Sequence, residues 1–122
     1  MKVRFASLGS LAFAALLAAE TAPAPRVVPI TAKRFEFTPK EVHLVVGEPV
    51  VLRLTSEDVA HGLLARPLGV DADITPGKPT DVTVTPKKAG TFTAICDRFC
   101  GSGHGNMKLK FVVEERAEPA VN

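Results

Sequence analysis

Four side chains able to hold a soft metal ion fall within one short stretch, Cys96-Asp-Arg-Phe-Cys100-Gly-Ser-Gly-His104-Gly-Asn-Met107. Sulfur donors favour monovalent copper, and imidazole suits copper in both oxidation states. The glycines at 101, 103 and 105 reject a regular helix and let the backbone fold tightly, so that the four donors can be turned onto one point. Cysteines four residues apart face the same way if the loop makes one turn between them. Two thiolates that converge can each bridge a pair of metal ions. A further donor has to come from outside the stretch. His61, in Asp58-Val59-Ala60-His61-Gly62, is the candidate, because it lies near the end of a strand-like run and Gly62 removes bulk beside it.

Other chemistries use part of this set. Two cysteines in an exported chain commonly pair as a disulfide, which leaves His61, His104 and Met107 without a task. Zinc takes two cysteines and two histidines but has no use for Met107, and its cysteines are more often two residues apart. A mononuclear blue-copper site uses one Cys, two His and an axial Met, which leaves one cysteine over. Taken singly, Met107 reads as a core residue and His61 as a satisfied histidine. Asp58 fits a turn and equally a hydrogen bond that orients His61. His43, in an alternating strand with no such company, reads as solvent-facing. No nucleophile–base pair stands out, and no ligand position looks open to a substrate.

The elements that must position these donors are short apolar runs cut by Pro and Gly. EVHLVV (41–46), PVVLRLT (49–55), TDVTVT (80–85), GTFTAI (90–95) and MKLKFVV (107–113) are rich in Val, Thr and Phe, and several alternate apolar with polar. Turn chemistry separates them at Gly47-Glu48-Pro49, Thr75-Pro76-Gly77 and Pro86 to Gly90. About seven strands at this spacing predict a small all-β sandwich, with the donor stretch as a loop at one end. Phe35, Phe37, Phe92 and Phe111 read as core and Phe99 as packing near the site. Arg53 and Lys108 read as solvated strand charges.

With 122 residues the chain holds about one domain. Lys2 and Arg4 followed by an apolar run to Ala19 form the pattern of a secretory signal peptide; left uncleaved, the same segment is an N-terminal anchor helix. Residues 20–29 read as a Pro-rich linker, 30–113 as the domain and 114–122 as a disordered tail. Of 15 Lys and Arg residues two lie in the leader, so 13 remain against 13 Asp and Glu. A neutral domain argues against a nucleic-acid partner, and membrane association is left to the N-terminus.

The pattern C-x3-C-x3-H-x2-M with an upstream D-V-x-H resembles the copper A motif of cytochrome c oxidase subunit II, and is similar to the copper A domain of nitrous oxide reductase. The resemblance spans residues 30–113 and implies a cupredoxin, a Greek-key β-sandwich. It further implies a binuclear copper A centre of two Cu ions. In such a centre Cys96 and Cys100 bridge both ions, His61 and Met107 complete one, and His104 with the backbone carbonyl of Arg98 completes the other. The family often has Glu at the Arg98 position; since only the carbonyl ligates, the change alters charge beside the site rather than the ligand set. The family's Trp-containing patch has no counterpart, as the chain holds no Trp. The implied function is passage of single electrons from a cytochrome c-like donor to a terminal oxidase or reductase, in the periplasm or on the outer face of the cytoplasmic membrane. The alternative is a protein that stores copper or delivers it for oxidase assembly.

Overall fold

Val50, Leu52 and Leu54 are buried while Arg53 between them is exposed, and the same alternation runs through Leu109, Phe111 and Val113 with Lys108 and Lys110 facing out. Period-two burial of aliphatic and β-branched residues is what a strand with one face on a core requires. The computed structural model describes residues 1–4, 9 and 24–117. Among them the strands are β1 (Arg26–Lys33), β2 (Glu36–Thr38), β3 (Glu41–Val45), β4 (Val50–Ser56), β5 (His61–Ala65), β6 (Val70–Ile74), β7 (Thr80–Val84), β8 (Gly90–Ile95) and β9 (Lys108–Glu114).

The strands make two sheets, ordered β2-β1-β4-β7 and β3-β9-β8-β5-β6. Two pairings, β1 with β4 and β3 with β9, are parallel; the other strand pairs are antiparallel. The inward faces share one core that includes Ile30, Phe37, Leu44, Leu52, Leu54, Leu63, Ile74, Leu109 and Phe111. The all-β expectation holds, and the five runs read from the sequence appear as β3, β4, β7, β8 and β9.

Four strands lacked a clear signal, each for a physical reason. β5 is buried at four of its five positions, so it shows no alternation. β6 alternates but carries Asp71 and Asp73, residues depleted in strands. β2 is only three residues long. β1 begins inside the expected linker: Arg26 to Pro29 pair with Val50 to Arg53 of β4. Proline is tolerated there because β2 covers only Thr31–Lys33, leaving one side of β1 at a sheet edge. At the other end Glu114 belongs to β9 rather than to the tail. The expected leader or anchor helix lies outside the described residues, among which no helix is long and apolar enough to cross a membrane. So does the end of the tail beyond residue 117.

Of the expected core phenylalanines, Phe37 and Phe111 are fully buried and Phe92 is partly buried. Phe35 is not a core residue: it is 37% exposed, because it sits in the β1–β2 turn and not on a strand face.

Phe111 is buried in the middle of β9, opposite Phe92 of β8. Truncating such a ring removes its burial and leaves a cavity, so Phe111→Ala is expected to cost about 3–5 kcal/mol. That is a large part of the ~5–15 kcal/mol typical of a small domain. Urea unfolding of the two proteins measures the difference.

Candidate metal centre

Three adjacent strands deliver the donors to one end of the five-stranded sheet. His61 is the first residue of β5, Cys96 follows the last residue of β8, and Met107 precedes the first residue of β9. Strands β9, β8 and β5 are neighbours in that order. Ile95 is paired both with Lys108 of β9 and with Leu64 of β5, so β5 runs three residues past the point where β8 and β9 part, and His61 stands beside the loop. The sequence reading had His61 near the end of a run; it instead opens the next strand, on the same edge of the sheet as the loop.

The loop between β8 and β9 is closed at its base by a hydrogen bond from the Cys96 N–H to the Met107 carbonyl, 3.1 Å. Above that bond it winds in tight turns. The N–H groups of His104, Asn106 and Met107 donate to the carbonyls of Gly101, Gly103 and His104 at 3.1–3.2 Å. Gly101 has φ of +139°, a conformation side chains other than glycine rarely adopt.

This winding turns the sulfurs inward. Cys96 Sγ and Cys100 Sγ are 3.8 Å apart, and both thiols are free. Cys100 Sγ lies 3.8 Å from Met107 Sδ and 3.6 Å from His104 Nδ1. Cys96 Sγ lies 3.2 Å from the Arg98 carbonyl oxygen. The Arg98 side chain points the other way, toward Asp73 on β6 at 3.5 Å. Ligand atoms of His61, Cys96 and Cys100 lie within 4.8 Å of one another. All six residues singled out in the sequence thus come together. Cys96, Cys100, Met107 and His61 are buried, and His104 is half-buried.

His61 tests most directly whether a metal fits here. Its Nε2 meets Asp58 Oδ1 at 2.7 Å, which settles the role the sequence left open for Asp58. Its Nδ1 is fully buried and has no hydrogen-bond partner among the described residues. A buried polar atom normally has one, and an imidazole that gives its other nitrogen to a carboxylate is the usual metal-binding arrangement. Two thiols, a thioether, two imidazoles and a carbonyl around that orphaned nitrogen fit copper in both donor type and softness.

Charges follow the burial. Burial alone would raise the Asp58 carboxyl, but hydrogen bonds from the Arg34 N–H, from His61 and from the Val59 N–H outweigh it and bring the group down to about 2. Burial, then the hydrogen bond and repulsion from Cys96, push the Cys100 thiol up to about 11. A metal entering the site therefore displaces a proton that the apo-protein holds firmly. Asp97 is raised by burial and by Asp71; its carboxylate Oδ1 lies against the Cα of Gly62, where a Cβ would collide. An open cleft of about 320 Å³ between Arg34, Val59 and Phe99 reaches Cys100. Phe99 stands 79% exposed at its rim, its ring centroid 5.9 Å from that of His104.

Sequence reasoning missed Arg34. Its Nε donates to the Cys100 carbonyl at 2.8 Å, across a separation of 66 residues that no local pattern reports. His43 faces solvent as expected and pairs with Glu41.

The profile of the cupredoxin-like domain matches residues 5–112. The chain belongs to that family. Within it, the chain is 32% identical to cytochrome c oxidase subunit 2 of Thermus thermophilus over 96 residues, covering 79% of this chain and 71% of the relative. A second subunit 2 sequence from that species is 32% identical over the same share of this chain but is covered over only 57% of its own length. Among solved structures, the periplasmic domain of subunit II of cytochrome oxidase from Bradyrhizobium japonicum superposes with a TM-score of 0.68. The match covers 74% of this chain and 84% of that one. At 21% identity that likeness is one of fold. This cupredoxin-like chain thus resembles the subunit II domain in both sequence and architecture.

The raised Cys100 thiol has a measurable consequence in the reduced, metal-free protein. A thiol that ionises at 9.0 in the unfolded chain and at about 11 in the fold favours the folded state fully below pH 9. That contribution is lost as pH rises toward 11. Unfolding free energy is expected to fall by on the order of 2 kcal/mol across that window, and the fall should be absent in Cys100→Ser. Denaturant titrations at each pH give both slopes.

Proposed function

We propose that this chain is an electron-transfer protein whose centre holds two copper ions between the thiolates of Cys96 and Cys100. In this reading His61 and Met107 complete one ion, and His104 with the Arg98 carbonyl completes the other. Copper, when bound, supplies a reversible one-electron change. The chain's own residues supply the rest. The two sulfurs would share the charge of a bound pair, Asp58 fixes the ring of His61, and the buried setting of Cys96, Cys100 and Met107 keeps water from the donors.

One observation carries the proposal. The buried Nδ1 of His61 has no partner among the described residues, and a ring nitrogen of that histidine lies within 4.8 Å of two free thiols that are themselves 3.8 Å apart. Two unjoined cysteines, each close to a different second donor, support bridging over a single-metal site. The likeness to subunit 2 of cytochrome c oxidase supports a cytochrome c-like donor and a terminal oxidase or reductase as acceptor. It also supports an exported location, in the periplasm or on the outer membrane face. Residues 1–19 are then the export signal or anchor. Burial of the donors favours a carrier that keeps its metal over a protein that delivers it, since delivery needs ligands an acceptor can reach.

Purified protein loaded with copper is expected to bind two ions per chain and to give an electron-spin spectrum with hyperfine structure from both. Cys96→Ser and Cys100→Ser are each expected to abolish that spectrum. A stoichiometry of one, or a full spectrum surviving in either variant, overturns the bridged pair.

A further inference from the structure

We propose that the β1–β2 turn is a strap that holds the two ligand-bearing segments in register, and that Arg34 is its positioning residue. The inference rests on the copper reading above. The donors come from chain segments far apart in sequence, one ending at His61 and the other running from Cys96 to Met107. Arg34 bonds to both. Its backbone N–H donates to Asp58 Oδ2 at 2.8 Å, and the other oxygen of that carboxylate meets His61 Nε2 at 2.7 Å. Its side-chain Nε donates to the Cys100 carbonyl at 2.8 Å. A run of three hydrogen bonds therefore links His61 to Cys100 without passing through a metal.

The next residue tightens the same contact. A Cβ on Gly101 would come within 2.9 Å of the Phe35 ring, and one on Gly103 within 2.5 Å. The ring therefore packs against the loop backbone, at two positions where a side chain would push it off. Arg34 and Phe35 sit between β1 and β2 of the four-stranded sheet, whereas Cys96, Cys100 and Met107 leave strands of the five-stranded sheet. The strap thus crosses from one layer of the sandwich to the other, over the end where the donors converge.

Such outer contacts matter because donor atoms need holding to within a fraction of an ångström. Loss of a supporting partner typically costs about 10–100-fold in metal affinity. The Nε–carbonyl bond is charge-assisted, so a hydrogen-bonding role has to be separated from a role of the charge itself. Glutamine does this, because its amide nitrogen is attached at the same carbon as arginine Nε and it carries no charge. Methionine keeps the length and removes the donor.

The experiment compares parent, Arg34→Met and Arg34→Gln as full chains. Copper transfer to excess chelator is followed in the loaded proteins, and backbone amide exchange over residues 101–106 in the reduced, metal-free ones. Arg34→Met is expected to lose copper about 10–100-fold faster and to lose amide protection in the loop, while Arg34→Gln stays near the parent in both. Parental copper loss and parental exchange in Arg34→Met overturn the strap. So does Arg34→Gln behaving as Arg34→Met does, because the charge or general stability is then at work. The copper reading fails separately, in the parent's own stoichiometry, and the metal-free exchange still tests the strap in that case.

Discussion

A single backbone hydrogen bond, from the Cys96 N–H to the Met107 carbonyl, sets the shape of everything at the donor end of the molecule. It continues the β8–β9 ladder by one step and closes the loop above it. With the base fixed, the residues inside have little choice of path. They wind in tight turns, and the sulfurs at both ends and in the middle point into the same small volume. The ladder below, from Gly90–Val113 to Ile95–Lys108, is what gives the closure its rigidity. Its inward residues Ala94, Leu109 and Phe111 are fully or almost fully buried. The core therefore acts on the site through strand register.

The other half of the site is a buried polar group dealt with in two ways. His61 has no access to solvent, so each ring nitrogen has to be satisfied by something built for it. Asp58 takes one, and is itself held by the N–H groups of Arg34 and Val59. The remaining nitrogen, without a partner among the described residues, is the one the proposed copper pair would use. Burying an imidazole with an unsatisfied nitrogen costs on the order of 1–3 kcal/mol, which a purely structural histidine gives no reason to sustain.

Around this centre the surface is mixed in sign. Arg98 faces Asp73 at 3.5 Å, Asp71 raises Asp97, and Arg34 turns its guanidinium onto the loop. Arg98 therefore holds its charge locally, against β6, while its carbonyl is left facing Cys96.

The sequence by itself determined the donors and the architecture class. Cys96, Cys100, His104 and Met107 lie within one loop, where spacing alone brings side chains together, and the alternation in β4, β7 and β9 required strands with one buried face. It also pointed to His61, through the company of Asp58 and Gly62. What only the tertiary structure decided is long-range. Strand β5 shows no period because it is buried on both sides, and β1 begins among prolines that read as linker. Asp58, in the bend between β4 and β5, became a partner of His61 as well as a turn residue. Arg34 and Phe35 reach the loop across more than sixty positions. Local pattern reports only what neighbours in the chain do to each other. Contacts such as these exist only after two sheets have packed, and no residue type announces them in advance.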